Sequence, residues 1–254
     1  MSIQNIINEK INSLNLQNKK LDEICQNFFS LIFIEESSEE TDIGGHAELF
    51  NGMGYKSSGL REKGKGIPMH NMTSIFAGGG YRVEGIRYYK AEVKEKFIVN
   101  SGDLIVLNTY QRSYEKYIGF PAVIPNYFIS PGIITLHLLK ISPNKYSYLN
   151  VRFLYYLLMT QKLHHQIISA TNGTAVYHVF LEDFKRIKFN LPSREKVEEF
   201  TSIVDECWNK KEVNYFQLDT LYRLKAILSG EAIASNSKLN NTLEKNIKPD
   251  LNVN

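Results

Sequence analysis

The chain has 254 residues, 43% of them hydrophobic and 22% charged, the balance of an ordinary globular protein rather than a disordered one. Its net charge is only +3, but residues 42–190 hold 18 basic and 10 acidic side chains while residues 1–41 hold 3 and 7. The middle therefore has the electrostatic footprint of a phosphate-binding surface, and the ends do not. No apolar run approaches the roughly 18 residues of a membrane span, and the opening MSIQNIINEKINSLNL lacks the apolar core of a signal peptide. Cys25 and Cys207 stand far apart with neither zinc spacing nor a disulfide framework, as expected for a cytoplasmic protein.

Residues 1–36 read as a long helix. Ile7, Leu14, Leu21 and Phe28 recur every seven positions, and Ile11, Ile24, Cys25, Leu31 and Ile32 fill the places between. The acidic run Glu35, Glu36, Glu39 and Glu40, with Ser37 and Ser38, marks a linker. Residues 37–190 then change character, with nearly all the glycines and short β-rich runs at Lys96–Asn100, Asp103–Leu107, Pro121–Ile124 and Ile133–Leu139. Ser101-Gly102-Asp103 is a turn feeding a strand. One internal helix is expected from Leu149 to Ser169, capped by Asn150, with Val151, Leu154, Leu158, Leu163 and Ile167 on its apolar face. Ser193 caps a second long helix over residues 191–232. Its stripe is Val197, Phe200, Val204 and Cys207, then Leu218, Leu221 and Leu228, with Lys211 and Asn214 as interruptions and Gly230 as the stop. At 1.5 Å per residue such a helix spans roughly 55 Å, more than a core helix needs. Residues 233–254 form a polar tail, expected to be disordered. The fold class is α+β: one β-rich domain flanked by two long amphipathic helices that form a coiled-coil-like spacer.

Catalytic signatures do not emerge. Adenine methyltransferases acting on DNA use an Asn/Asp-Pro-Pro-Tyr/Phe loop, and the nearest string, Ile124-Pro125-Asn126-Tyr127-Phe128, lacks it. Gly78-Gly79-Gly80 does not fit G-x-G-x-x-G and reads as a flexible loop, and no Walker A motif is present. His164 and His165 point about 100° apart on a helix and cannot share a metal. His46 and His70 have no ligand partners at standard spacing. The expectation is a chain with no catalytic site, metal or cofactor of its own.

The order of short strings resembles half of a type I restriction-modification specificity subunit, in which a target recognition domain is followed by a conserved long helix. Gly66-Ile67-Pro68-Met69-His70-Asn71-Met72 is similar to the segment before the first variable loops. Asn100-Ser101-Gly102-Asp103-Leu104-Ile105 resembles the "pGDil" turn and strand, and Tyr117-Ile118-Gly119-Phe120-Pro121-Ala122 the "iG…a" strand. Phe153 to Leu158 resembles the "fl.y.l" helix and Gly173-Thr174-Ala175 the "Gta" turn. Leu181 to Phe189 followed by Leu191-Pro192-Ser193 resembles "l..i.i.lP", although Glu195-Lys196 stands where the family usually has Glu-Gln. The resemblance implies a non-catalytic subunit that reads one half of a split target in double-stranded DNA. It also implies docking to adenine methyltransferase subunits and to a restriction motor subunit. Two rival readings are a recognition domain cut from a fused restriction-methylation enzyme and a coiled-coil scaffold that binds no DNA.

Reading a DNA sequence needs Lys and Arg for phosphates and Arg, Asn, Gln, Thr and Tyr for base edges. The expected DNA-binding residues are Arg61, Lys63, Lys65, Arg82, Arg87, Tyr110, Gln111, Arg112, Lys116, Asn172, Thr174, Tyr177 and His178. Because one recognition domain reads half a target, a homodimer or pairing with another half-subunit is expected. Leu14, Leu21, Phe28, Leu31, Val204, Leu218, Leu221 and Leu228 would hold it together through antiparallel helices, the competing outcome being a single chain whose own two helices pair. On that view Leu218→Glu with Leu221→Glu separates the copies and leaves the middle domain folded.

Overall fold

The computed structural model describes residues 2–33, 39–90, 92–111, 117–126, 131–174 and 176–229. The chain opens with α1 (Ile3–Phe33), β1 (Glu40–Asp42), α2 (Ile43–His46), β2 (Ala47–Asn51), β3 (Leu60–Arg61), β4 (Ile67–His70) and β5 (Arg87–Tyr89). It continues through β6 (Ile98–Val99), β7 (Leu104–Leu107), β8 (Thr109–Gln111), β9 (Pro121–Val123), β10 (Gly132–Ile134) and β11 (Leu138–Pro143). It ends with α3 (Val151–Leu158), α4 (Gln161–Ser169), β12 (Val176–His178), α5 (Leu181–Lys185), β13 (Lys188–Asn190) and α6 (Arg194–Leu228). This is the expected α+β arrangement, with a long helix at each side of a β-rich middle.

Two sheets build the middle. One has the order β2-β11-β7-β9, antiparallel throughout. The other has the order β3-β5-β4-β10-β6, with β4 and β10 parallel. Every residue of β7 is buried, which is why Leu104-Ile105-Val106-Leu107 is apolar on both faces. The turn before it works as its sequence suggests. Gly102 takes φ +85°, and the Asp103 carboxylate accepts from the Asn100 N–H at 2.7 Å and from Lys140 Nζ at 2.7 Å.

Two sequence expectations change. The single helix over Leu149–Ser169 is two. Asn150 caps α3, accepting from the Phe153 N–H at 3.0 Å, but Thr160 starts a fresh helix by accepting from the Leu163 N–H. The strand over Ile133–Leu139 is also two strands, β10 and β11, which belong to different sheets and are separated at Thr135–His137.

The β1–β13 ribbon pairs Glu40 with Asn190 and Asp42 with Lys188. It brings the end of α1 beside the start of α6, so the two helices must run back along each other in opposite directions. Phe200 of α6 meets Phe28, Phe29 and Phe33 of α1 at centroid distances of 6.0, 5.2 and 5.6 Å. Further along, Lys211 meets Asp22, and Asn214 meets Asn18. The two helices thus pair within one chain, the competing outcome read from the sequence, rather than first with a second copy.

This corrects the roles given to the stripe residues. Leu14, Val204 and Leu218 are 1%, 1% and 0% exposed, packed inside this chain and not available to a second copy. Phe28 and Leu221 are partly buried against two separate core clusters of this chain, and Leu21 is half-buried. Leu31 and Leu228 face outward at 79% and 46% exposure. Lys211 and Asn214 do not interrupt the stripe; they lie inside the seam, 2% and 0% exposed. Gly230 and the polar tail lie outside the described residues, so α6 is followed only to its cap at Ser229.

Candidate nucleic-acid interface

The sheets gather the expected DNA-binding residues into two groups. The first lies at the β3–β5 edge of the five-stranded sheet. The register Leu60↔Tyr89 and Arg61↔Tyr88 sets β3 beside β5, so Arg61, Lys63 and Arg87 line one cleft of about 330 Å³. All three side chains are exposed. Arg61 is steadied by its own turn, donating from Nη1 to the carbonyls of Ser58 at 2.8 Å and Leu60 at 2.7 Å. Glu84 and Asp219 share the cleft and offset part of its charge. Arg82 is not free in the same way: its Nε donates to Glu84 at 2.7 Å. Lys65 is paired with Glu62 on its own turn. Both are exposed ion pairs, worth little to stability, so a phosphate can compete for either cation.

The second group is the β8–β12 ribbon, where Thr109 faces His178, Tyr110 faces Tyr177 and Gln111 faces Val176. Asn172 bridges back to His178 through a pair of 2.9 Å backbone hydrogen bonds, closing the turn that carries Thr174. Asn172 and Thr174 are exposed, and Tyr177 and His178 half-exposed. His178 Nδ1 is held by Thr109 Oγ1 at 2.8 Å. Burial lowers the pKa of His178, and neighbouring His137 lowers it further, so the imidazole is neutral at pH 7 and offers one donor and one acceptor.

Tyr110 is the exception. Its ring is 2% exposed and stacks on Tyr177 at 4.9 Å with the planes 7° apart. Its neighbour Thr109 is buried as well, at 4% exposed, so the start of β8 offers no open side chain at either position. Arg112 and Lys116 lie outside the described residues, and of Gln111 only its strand position is described.

Three histidines are engaged by neighbouring side chains. His70 is 1% exposed, its Nδ1 2.9 Å from the Tyr81 hydroxyl, and burial pushes its pKa down to about 3. His46 lies between Thr41 and Ser147 hydroxyls, and His164 stacks on Phe120 at 4.7 Å. Among the described residues no cluster of three or more His, Cys, Asp or Glu could hold a metal, and no helix is long and apolar enough to cross a membrane. Gly78, Gly79 and Gly80 all take positive φ, and the loop is pinned by the Gly80 N–H donating to the Pro121 carbonyl at 2.9 Å. A Cβ on Gly79 would sit 2.4 Å from Met159 Sδ, so Gly79 serves close packing, while Gly78 and Gly80 serve their left-handed backbone.

Comparison with known proteins agrees with this architecture. The family model for the type I restriction modification DNA specificity domain matches residues 35–242. Among solved structures, the chain is similar to the S subunit of a type I restriction-modification system from M. genitalium, at 17% identity and TM-score 0.55, over 89% of this chain and 57% of that one. It is similar to the HsdS subunit from Thermoanaerobacter tengcongensis at 15% identity and TM-score 0.50, over 92% of this chain and 55% of that one. A chain from a study of complex assembly and conformational transition in the type I R-M system matches at 16% identity and TM-score 0.50, over 90% and 55%. The chain therefore spans a little over half the length of the solved subunits it resembles. No curated protein matches it. The match covers most of the chain, from the end of α1 through α6, and the chain belongs to the family of type I restriction-modification DNA specificity domains.

Proposed function

We propose that this chain reads one half of a split target in double-stranded DNA and that two copies together read the whole. In this reading residues 37–190 are the recognition domain, and the segments 1–36 and 191–232, which carry α1 and α6, are the spacer that docks adenine methyltransferase subunits. The complex works in the cytoplasm, with methyl transfer, and cleavage by any restriction motor subunit, carried by the partners. The observation that supports a half-reader is the coverage: some nine-tenths of this chain corresponds to 55–57% of the solved subunits. Two identical halves related by a two-fold axis would read an interrupted palindrome.

The face left for a second copy is not the one the leucine stripe suggested. With Leu14 and Leu218 buried inside the chain, the outer side of α6 carries Val213, Phe216, Leu224 and Ile227, exposed at 50%, 63%, 44% and 48%. Val213 and Leu224, like Phe216 and Ile227, stand eleven residues apart, or three helical turns, and form a second apolar stripe along the back of the helix. Light scattering at micromolar concentration is expected to give twice the chain mass of 29.2 kDa. Phe216→Lys should return the single-chain mass with the fold intact. A wild-type mass of one chain would reject the dimer.

A further inference from the structure

Cys25 and Cys207 are the chain's two cysteines and lie far apart in sequence, yet the helix pair sets them face to face. The register follows from the contacts around them. Asn214 Nδ2 of α6 donates to Asn18 Oδ1 of α1 at 2.8 Å. In an antiparallel pair, a step forward on one helix matches a step back on the other. Seven residues on from Asn18 is Cys25, and seven back from Asn214 is Cys207. Seven residues turn a helix through about 700°, some 20° short of two full turns, so both cysteines stay on the faces that the two asparagines occupy. Contacts also bracket them. Lys211 Nζ meets Asp22 Oδ1 at 2.6 Å on one side, and the rings of Phe29 and Phe200 lie 5.2 Å apart on the other.

Cys25 is 2% exposed, Cys207 is half-buried, and both free thiols pack on one core cluster. Their side chains interact directly. Helix axes at ordinary packing distance leave facing Cα atoms roughly 3.4–5.4 Å apart at closest, which overlaps the roughly 4.4–6.8 Å that a disulfide spans. Tyr156, which also reaches Cys25, keeps Asp22 as its acceptor at 3.2 Å, so tying up the thiol leaves no buried hydroxyl without a partner. The two thiols differ in reactivity. Burial pushes the pKa of Cys25 up to about 12, so this thiol stays protonated and is slow to react first. Cys207 reaches solvent. It stands nine residues before Phe216, half a turn out of phase, so the outer apolar stripe of α6 can be covered without covering it.

We propose that Cys25 and Cys207 form a reversible intramolecular disulfide, a modification site that staples α1 to α6 when the protein meets a small-molecule disulfide of the glutathione type. The Cys207 sulfur attacks one sulfur of the oxidant, a mixed disulfide forms, and the first glutathione leaves. The Cys25 sulfur then attacks the Cys207 sulfur, and the second glutathione leaves. Each departing glutathione takes the proton that its attacking cysteine gives up. Two protein thiols are thus oxidised and one small disulfide is reduced to two thiols. The staple closes a loop that contains the whole of residues 37–190, and long loops constrain the unfolded chain most. The inference needs only the fold and is independent of the half-reader function.

The test treats the full, reduced chain with glutathione disulfide under native conditions and counts free thiols after unfolding in urea. Two thiols per chain should fall to none, with no glutathione retained and the mass of one chain on a non-reducing gel. Dithiothreitol should restore both. The melting temperature of the oxidised protein should rise by roughly 5–10 °C. Cys207→Ser, at the half-buried position, should keep its Cys25 thiol and show no rise, which separates the staple from a general effect of the oxidant. Survival of both thiols in the wild type, or a lasting glutathione adduct on Cys207, would overturn the inference. So would chains linked covalently to each other. A disulfide that forms but lowers the melting temperature would overturn it too, since it would require the helices to be prised apart.

Discussion

Asp22→Ala is expected to cost about 3–5 kcal/mol of folding stability, far more than a typical surface change. The reason is what stays behind. Lys211, 2% exposed, would keep its charge with no counter-ion within the seam, and Tyr156 would lose its acceptor. The ring faces of Trp208 and Tyr155 compensate only in part, because a cation–π contact is worth about 2 kcal/mol even when desolvated. Asp22→Leu with Lys211→Met removes both charges and should recover most of the loss, since buried ion pairs often exchange for packed apolar residues at no net cost. Urea unfolding of the two variants measures the difference. A loss below about 1 kcal/mol for Asp22→Ala would mean that water reaches the pair and the seam is not closed there.

Leu218→Glu should unfold the whole chain, where the leucine stripe by itself suggested a change in assembly alone. Leu218 is 0% exposed and packs in one cluster with Ile105, Leu107, Ile134 and Leu138 from the sheets and Ile11 and Leu14 from α1. The substitution forfeits about 2–3 kcal/mol of apolar burial. It also places a carboxylate where no cation faces it, which costs several kcal/mol more. Together these approach the whole stability of an ordinary domain. Leu228→Glu, at a position 46% exposed, is the control and should stay within about 0.5 kcal/mol. A cooperative, wild-type-like thermal melt for Leu218→Glu would show that the helices are independent of the recognition domain.

The outline of this fold was legible because its signals are local. Asn150 and Ser193 cap helices as small polar residues before apolar periodicity do, and Gly102-Asp103 makes the turn that its composition demands. What escaped was non-local. Nothing near Thr160 announces that its hydroxyl restarts a helix, and the break at Thr135–His137 shows only once β10 and β11 join different sheets. The helix seam misled for a physical reason. A seven-residue template selects Leu21, Phe28 and Leu31, whereas the buried set advances by eleven and takes in Asn18, Asp22 and Lys211. Read on that period, the polar residues of the two helices fall on the inner face and their pairing becomes visible. The candidate interface was legible as composition, with cations and amides clustered in loops. It was not legible as geometry: Tyr110 proves buried and stacked on Tyr177, and only pairing of β3 with β5 assembles Arg61, Lys63 and Arg87.

Under the proposed function, this chain supplies sequence specificity to a methyltransferase that has none without it. Mapping N6-methyladenine across the genome of cells carrying the methyltransferase subunit, with and without this chain, tests it directly. The expected result is methylation at one interrupted palindrome when both are present and none at that motif when the chain is absent. Methylation of the same motif without the chain, or of no defined motif with it, would contradict the account.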